Sequence, residues 1–220
     1  MKYKVGLTSR IIHTKEYFEI RDCISQDMIK FVQKFDLIPI VIPNNHKLIE
    51  EYIKMVDFII LTGGNNIHNQ IEPSNQEYSI SKVRDEIENE VIRRCIENNI
   101  PILGVCRGMQ LLNTYFGGEI TKLENLADHN ATKHNIYFKE NIISNEKNKS
   151  IVVNSFHTFS IETLSSELVA WAHSEDGKIE GFKHESLPIY GIMWHPERKS
   201  YSDYSVNLSE KIINKLIDKK

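Results

Sequence analysis

The 220-residue sequence has only three cysteines, Cys23, Cys95 and Cys106, at spacings too irregular for a disulfide framework or a CxxC metal motif. It has no apolar run near the roughly 18 residues of a membrane span, and its opening MKYKVGLTSR lacks the apolar core of a signal peptide. The expectation is a reduced, cytoplasmic protein with no membrane partner. One-sided charge is missing too: 27 Lys and Arg face 30 Asp and Glu, a net charge of −3, which gives no global field for holding nucleic acid. Any phosphate-bearing partner must be met locally. Hydrophobic content of 40% with 26% charged residues is ordinary for a chain that folds. The length suits one α/β domain over residues 1–220 and leaves little room for a second module.

Short Val- and Ile-rich runs at Lys4 to Leu7, Ile38 to Ile42, Phe58 to Leu61 and Ile102 to Val105 alternate with amphipathic stretches. That order predicts βα units around a mainly parallel central sheet flanked by helices. Ile80, Val83, Ile87, Val91 and Cys95 recur every three or four residues and predict one face of a long helix ending near Asn98 and Asn99, before Pro101. After Gly117 and Gly118 the pattern turns to additional short strands at Ile136 to Phe138, Ile151 to Val153, Leu168 to Ala172 and Ile189 to Trp194, with a hairpin at Asp176 and Gly177. Val206 to Leu216 again has helical spacing, and Lys219 and Lys220 read as a solvated tail.

The segment PILGVCRGMQLLNTYF, Pro101 to Phe116, reads as strand, sharp turn and helix. Gly104 and Gly108 flank Cys106 as small residues flank the serine of a nucleophile elbow, where they permit a strained turn. At a helix amino end Cys106 meets the positive dipole and unpaired N–H groups, which favour a thiolate. Cys23 and Cys95 read instead as buried small hydrophobes. A cysteine nucleophile needs a base, and the apolar strand PIYGIMWHPE ends in His195, Pro196 and Glu197. Residues two apart on an extended chain share a side, so Glu197 can orient the His195 ring. After Leu61 and Thr62, Gly63 and Gly64 follow a strand end; this glycine pair in the ligand crevice can bring a backbone N–H to an oxyanion, with the Arg107 N–H as second donor. His129 and His134 raise the question of a metal, but their spacing is not a compact ligand motif and no cysteine or carboxylate set completes one, so no metal is expected.

Taken in order, these pieces resemble the class I glutamine amidotransferase-like superfamily, with its Cys-His-Glu triad and flavodoxin-like sheet. Cys106-Arg107-Gly108-Met109-Gln110 is similar to the CRGxQ elbow of the peptidase C26 branch, the γ-glutamyl hydrolases. The resemblance implies hydrolysis of a γ-glutamyl amide through a γ-glutamyl thioester, without a cofactor, with Gln110 gripping the glutamyl moiety and Gly64 in the oxyanion hole. Arg84 and Asp85 also match a family pattern, although an exposed helix bearing an Arg84 to Glu88 pair would look the same. Asn154-Ser155-Phe156-His157-Thr158-Phe159 resembles the family motif NSxHxQ with Phe159 in the glutamine position; His157 reads equally as pocket lining or as a structural hydrogen-bonding group. Tyr17-Phe18-Glu19-Ile20-Arg21-Asp22 resembles the YxExRD signature of C26-like proteins encoded among capsule genes. Arg10, His13, Lys15 and Arg21 gather cations in one stretch, suited to an anionic, nucleotide-linked leaving group, with surface pairing of Arg21 as the alternative. An aminobutyrate-type catabolic hydrolase and an ammonia-donating component of a synthetase both stay open, as does the oligomeric state. A non-catalytic member would have lost the nucleophile or base, and Cys106, His195 and Glu197 are all present.

Overall fold

A computed structural model describes residues 2–14, 19–139, 150–198 and 203–218. Five parallel strands form one half of its main sheet: β1 (Lys4–Thr8), β4 (Ile38–Ile42), β5 (Phe58–Leu61), β6 (Ile102–Val105) and β13 (Ile189–Ile192). Three of the short strands expected after Gly118 extend that same sheet in antiparallel fashion, β8 (Asn130–Phe138), β9 (Ser150–Phe156) and β11 (Leu168–Ser174), together with β12 (Ile179–His184), whereas the fourth, expected at Ile189 to Trp194, is the parallel β13. The order across the sheet is β4-β1-β5-β6-β13-β12-β11-β8-β9, so it is large and mixed. Two further pairs stand apart, β2 (Arg10–Thr14) with β3 (Glu19–Cys23), and β7 (Glu119–Lys122) with β10 (Phe159–Thr163).

Helices cover both faces, and side chains alternate between them along the central strands. Phe58, Ile60, Leu103, Val105, Tyr190 and Ile192 pack with α1 (Gln26–Gln33) and α5 (Asp203–Ile217). Ile59, Leu61, Ile102, Ile189 and Met193 pack with α2 (Ile49–Met55), α3 (Gln76–Glu97) and α4 (Arg107–Tyr115). Each such fully buried aliphatic side chain stabilises the fold by about 1.5–3 kcal/mol.

The long helix expected around Ile87 is α3, and its end follows the expected signals. Asn98 caps it and Asn99 turns at φ 55°. Its buried face differs from the expectation. Val83 is 44% exposed, while Ser81, Arg84, Asp85 and Glu88 are buried beside Ile87, Val91 and Cys95. Hydrophobic spacing cannot register this face, because a set of mutually neutralising charges occupies it. The hairpin at Asp176 and Gly177 joins β11 to β12, with Gly177 at φ 83°. Lys15, Tyr17, Phe18, Lys219 and Lys220 lie outside the described residues.

Candidate active site

The turn between β6 and α4 is built by exclusion. A Cβ at Gly104 would sit 2.6 Å from the backbone of Gly108, and one at Gly108 would sit 2.2 Å from the Leu61 carbonyl oxygen. Only glycines allow β5, β6 and α4 to approach this closely. Between them Cys106 is held at φ 52°, ψ −105°, a conformation costing about 1–3 kcal/mol for a non-glycine residue. Its N–H donates to the Ile192 carbonyl on the neighbouring β13 at 2.8 Å, which ties the strained turn to the sheet.

Three residues beyond the end of β13, the His195 Nδ1 lies 2.7 Å from the Glu197 Oε1, as their spacing suggested. The His195 backbone is clamped from another strand: Asn154 Nδ2 donates to its carbonyl at 2.7 Å, and its N–H donates to Asn154 Oδ1 at 2.8 Å. The ring lies against Gly63, where any Cβ would come within 2.6 Å of His195 Cε1. His195, Glu197 and Cys106 are all buried, so water screens their charges poorly. Burial opposes ionisation of the Cys106 thiol, but the charge of His195 and hydrogen bonding to it hold the thiol below its ordinary value. Burial likewise opposes the imidazolium, yet Cys106 and Glu197 raise His195 to about 9. Glu197 is held down by His195 against its own desolvation. The shifts of Cys106 and His195 run in the directions that favour a thiolate beside an imidazolium.

Two cavities flank it, of about 310 and 260 Å³. Arg10, Gly64, His195 and Arg198 line both. Cys106, Arg107, Gln110 and His157 line the second, while Gly63 and Glu197 line the first. Arg21 lines neither; its guanidinium forks onto Glu19 at 3.0 and 3.1 Å, so the alternative of surface pairing holds for this residue. Cys23 is only half-buried and lines the first cavity, which corrects its assignment as a core residue; Cys95 is fully buried. Arg198 was not foreseen from the sequence. Its guanidinium stacks 4.2 Å from the centre of the Phe156 ring, and its one sequence signal is a cation directly after Glu197. Glu77, also unforeseen, lines the second cavity and accepts from the Asn66 N–H at 3.1 Å.

Other motif residues serve as supports. The Arg107 guanidinium turns away from the nucleophile and pairs with Asp85 and Glu88, leaving its backbone at the cavity. Arg84 pairs with Glu88 at 3.0 Å and donates to the carbonyls of Thr62 at 2.8 Å and Gly63 at 3.2 Å. The expected alternative of an exposed Arg84–Glu88 pair is therefore overturned, since both side chains are 0% exposed. Burial and the Arg107 charge lower Arg84 to about 10. Two guanidinium and two carboxylate groups form a buried, neutral network that fixes the Thr62-Gly63-Gly64 loop beside Cys106. Gln110 donates its amide to the Phe159 carbonyl at 2.9 Å, so the backbone of the residue replacing the family glutamine takes part even though its side chain cannot.

His157 belongs to a second group. Glu180 on β12 reaches it, His134 and His129 at 3.4, 3.5 and 3.9 Å. This supplies the carboxylate whose absence led to the expectation of no metal at His129 and His134.

The peptidase C26 family model matches residues 5–197. The γ-glutamyl-CDP-amidate hydrolase of Campylobacter jejuni is 38% identical over 200 residues, covering 89% of this chain and 90% of that protein. A glutamine-hydrolysing GMP synthase component from Pyrococcus furiosus is 32% identical over 157 residues, covering 71% and 74%. A Thermoplasma acidophilum structure, also assigned as a GMP synthase component, superposes with a TM-score of 0.76 at 18% identity, covering all of this chain and 96% of that one. Among the described residues no helix is long and apolar enough to cross a membrane.

Proposed function

The chain belongs to the peptidase C26 family and is a γ-glutamyl amide hydrolase, and we propose that it works through Cys106, His195 and Glu197 on a γ-glutamyl phosphoramidate substrate. The observation that carries the mechanism is the buried arrangement of Cys106 on its strained turn, beside a His195 that Glu197 orients at 2.7 Å. The Cys106 thiolate attacks the γ-carbonyl carbon, and N–H groups at Gly64 and Arg107 receive the oxyanion. His195 passes its proton to the leaving nitrogen as the C–N bond breaks, which leaves a γ-glutamyl thioester and neutral imidazole. His195 then takes a proton from water, hydroxide adds to the thioester, and collapse expels the thiolate with release of glutamate. These steps use only the chain's own groups and water.

For the leaving group we favour cytidine diphosphoramidate, so that the substrate is γ-glutamyl-CDP-amidate and the reaction serves capsular polysaccharide synthesis in the cytoplasm. Arg10 and Arg198 support this reading, because both line both cavities and present charge to a diphosphate that a net charge of −3 does not otherwise attract. Glu77 is placed to receive the substrate ammonium in the cavity that holds Cys106. The test is glutamate release from γ-glutamyl-CDP-amidate, γ-glutamyl-γ-aminobutyrate and glutamine, with Cys106→Ala as the control. The expected result is preference for the nucleotide compound and a loss of at least about three orders of magnitude in the variant. Preference for the aminobutyrate compound would overturn the leaving-group assignment, and a folded, active Cys106→Ala protein would overturn the triad. The similarity to a GMP synthase component favours a second reading, an ammonia donor, which predicts glutaminase activity that rises only with a synthetase partner.

A further inference from the structure

His129, His134, His157 and Glu180 come from three separate places in the chain: β8 and the residue just before it, the turn between β9 and β10, and β12. Each histidine uses one ring nitrogen outward. His129 Nε2 meets Asp176 Oδ2, His134 Nδ1 meets the Asp128 carbonyl and His157 Nδ1 meets the Phe159 carbonyl, all at 3.0 Å. A neutral imidazole has a single N–H, and these outward acceptors claim it. The inner nitrogens, His129 Nδ1, His134 Nε2 and His157 Nε2, then point lone pairs toward a carboxylate. All three, and both Glu180 oxygens, are buried without a hydrogen-bond partner. His129, His157 and Glu180 are at most 3% exposed.

Five buried acceptor atoms facing one another are repulsive unless a cation lies among them. Two protons would serve His134 and His157 but leave His129 Nδ1, at 3.9 Å from Glu180, unsatisfied. One divalent ion serves His129, His157 and the carboxylate together, while His134 Nε2, 3.5 Å from the second carboxylate oxygen, stands beside that group. The separations suit it: a tetrahedral zinc ion with bonds of about 2.0–2.2 Å places its ligand atoms about 3.3–3.5 Å apart. The His157–Glu180 pair here is 3.4 Å, and the ligand atoms of His129, His157 and Glu180 lie within 4.8 Å of one another. The outward hydrogen bonds of His129 to a carboxylate and of His157 to a carbonyl are what zinc-bound histidines use to fix their tautomer. An adjoining cavity of about 430 Å³ lined by Asp128, His134 and Asp176 offers a route in.

We propose that His129, His157 and Glu180 form a zinc site that binds one divalent ion per chain, with its fourth position open to water. Two neutral imidazoles, the Glu180 carboxylate and the neighbouring Asp176 balance the charge of that ion. The site joins the entry to β8, β12 and the turn carrying His157, which lines the Cys106 cavity, so metal binding steadies one wall of the active site. The reaction proposed above does not require the ion, and its failure and the failure of this site are read separately.

The experiment uses the full chain with Cys106→Ala, since a thiolate beside His195 could itself take up metal. After chelation, the protein is titrated with zinc, metal content is measured by mass spectrometry, and cobalt(II) is added in place of zinc. The expected results are one equivalent of zinc retained through gel filtration, a melting temperature that rises with free zinc, and the visible bands of four-coordinate cobalt. His129→Asn and Glu180→Gln should each weaken zinc binding by at least about 100-fold. Less than about a tenth of an equivalent in the Cys106→Ala protein, or uptake unchanged in His129→Asn, overturns the site. The cobalt spectrum is read without any ligand variant, so a Glu180→Gln protein that fails to fold leaves the test intact.

Discussion

Replacing Glu197 by Gln tests the polarisation of the site. The carboxylate lies 2.7 Å from His195 Nδ1, and both side chains are at most 6% exposed. At an effective dielectric of about 20, opposite charges about 4 Å apart attract by about 4 kcal/mol, which bounds the shift in the imidazole at about three pKa units. The Gln amide oxygen can still accept the Nδ1–H bond, and the Cys106 charge still favours the imidazolium. A net fall of about one to two units is therefore expected. The sign follows from what each limb reports. In the proposed mechanism the acid limb of kcat/KM is protonation of the thiolate and the alkaline limb is loss of the His195 proton, raised to about 9 by its partners, both limbs belonging to the coupled pair. Glu197→Gln lowers the alkaline limb, narrows the active window from above, and reduces kcat by about 10²–10⁴-fold, because the proton donor is both scarcer and less well oriented. The assay is hydrolysis of a chromogenic γ-glutamyl anilide from pH 5 to 10, with iodoacetamide alkylation of Cys106 reporting the acid limb independently. An alkaline limb that stays in place, with turnover within about threefold of wild type, would refute the assignment of Glu197 as the group that holds His195 charged.

Asn154→Ala removes both hydrogen bonds to the His195 backbone and should lower kcat by about 10–100-fold with little change in KM, measured by the same assay. Arg107→Ala leaves Asp85 and Glu88 short of a buried cation and should destabilise the fold by about 3–5 kcal/mol, read as a fall in the denaturation midpoint; removing Glu88 as well should recover part of the loss. Gly108→Ala forces a methyl against the Leu61 carbonyl and should abolish soluble, active protein, whereas Gly177→Ala, at an open turn with φ 83°, should cost only about 1 kcal/mol in thermal unfolding.

The elbow was readable because a strand ending in Gly-x-Cys-x-Gly encodes its own dihedrals and close contacts within a few residues. His195 and Glu197 were readable for the same reason, their partnership being set by a spacing of two along an extended chain. Arg198 was missed because its position over Phe156 depends on a strand more than forty residues away in sequence. The buried face of α3 was misjudged at Val83 because hydrophobic periodicity does not register charges that neutralise one another across two helices. The Arg107 side chain shows the same limit: the motif marks the residue, but only the packing of α4 on α3 reveals that its guanidinium pairs with Asp85 and Glu88, beside the Arg84 that holds the Thr62-Gly63 carbonyls.

What the sequence by itself determined was the local chemistry: a strained cysteine at a helix start, a histidine with a carboxylate two residues on, and glycines where backbones must touch. These follow from dihedral preferences and from repeats of 2 and 3.6 residues, which act over short stretches of chain. Which groups meet was decided only by the tertiary structure. The order β6-β13-β12 brings His195 to Cys106, and the added antiparallel strands carry Glu180 to three histidines that spacing alone had set aside. Contacts of that kind depend on strand order and register, and burial then gives the assembled charges a strength they would lack in water.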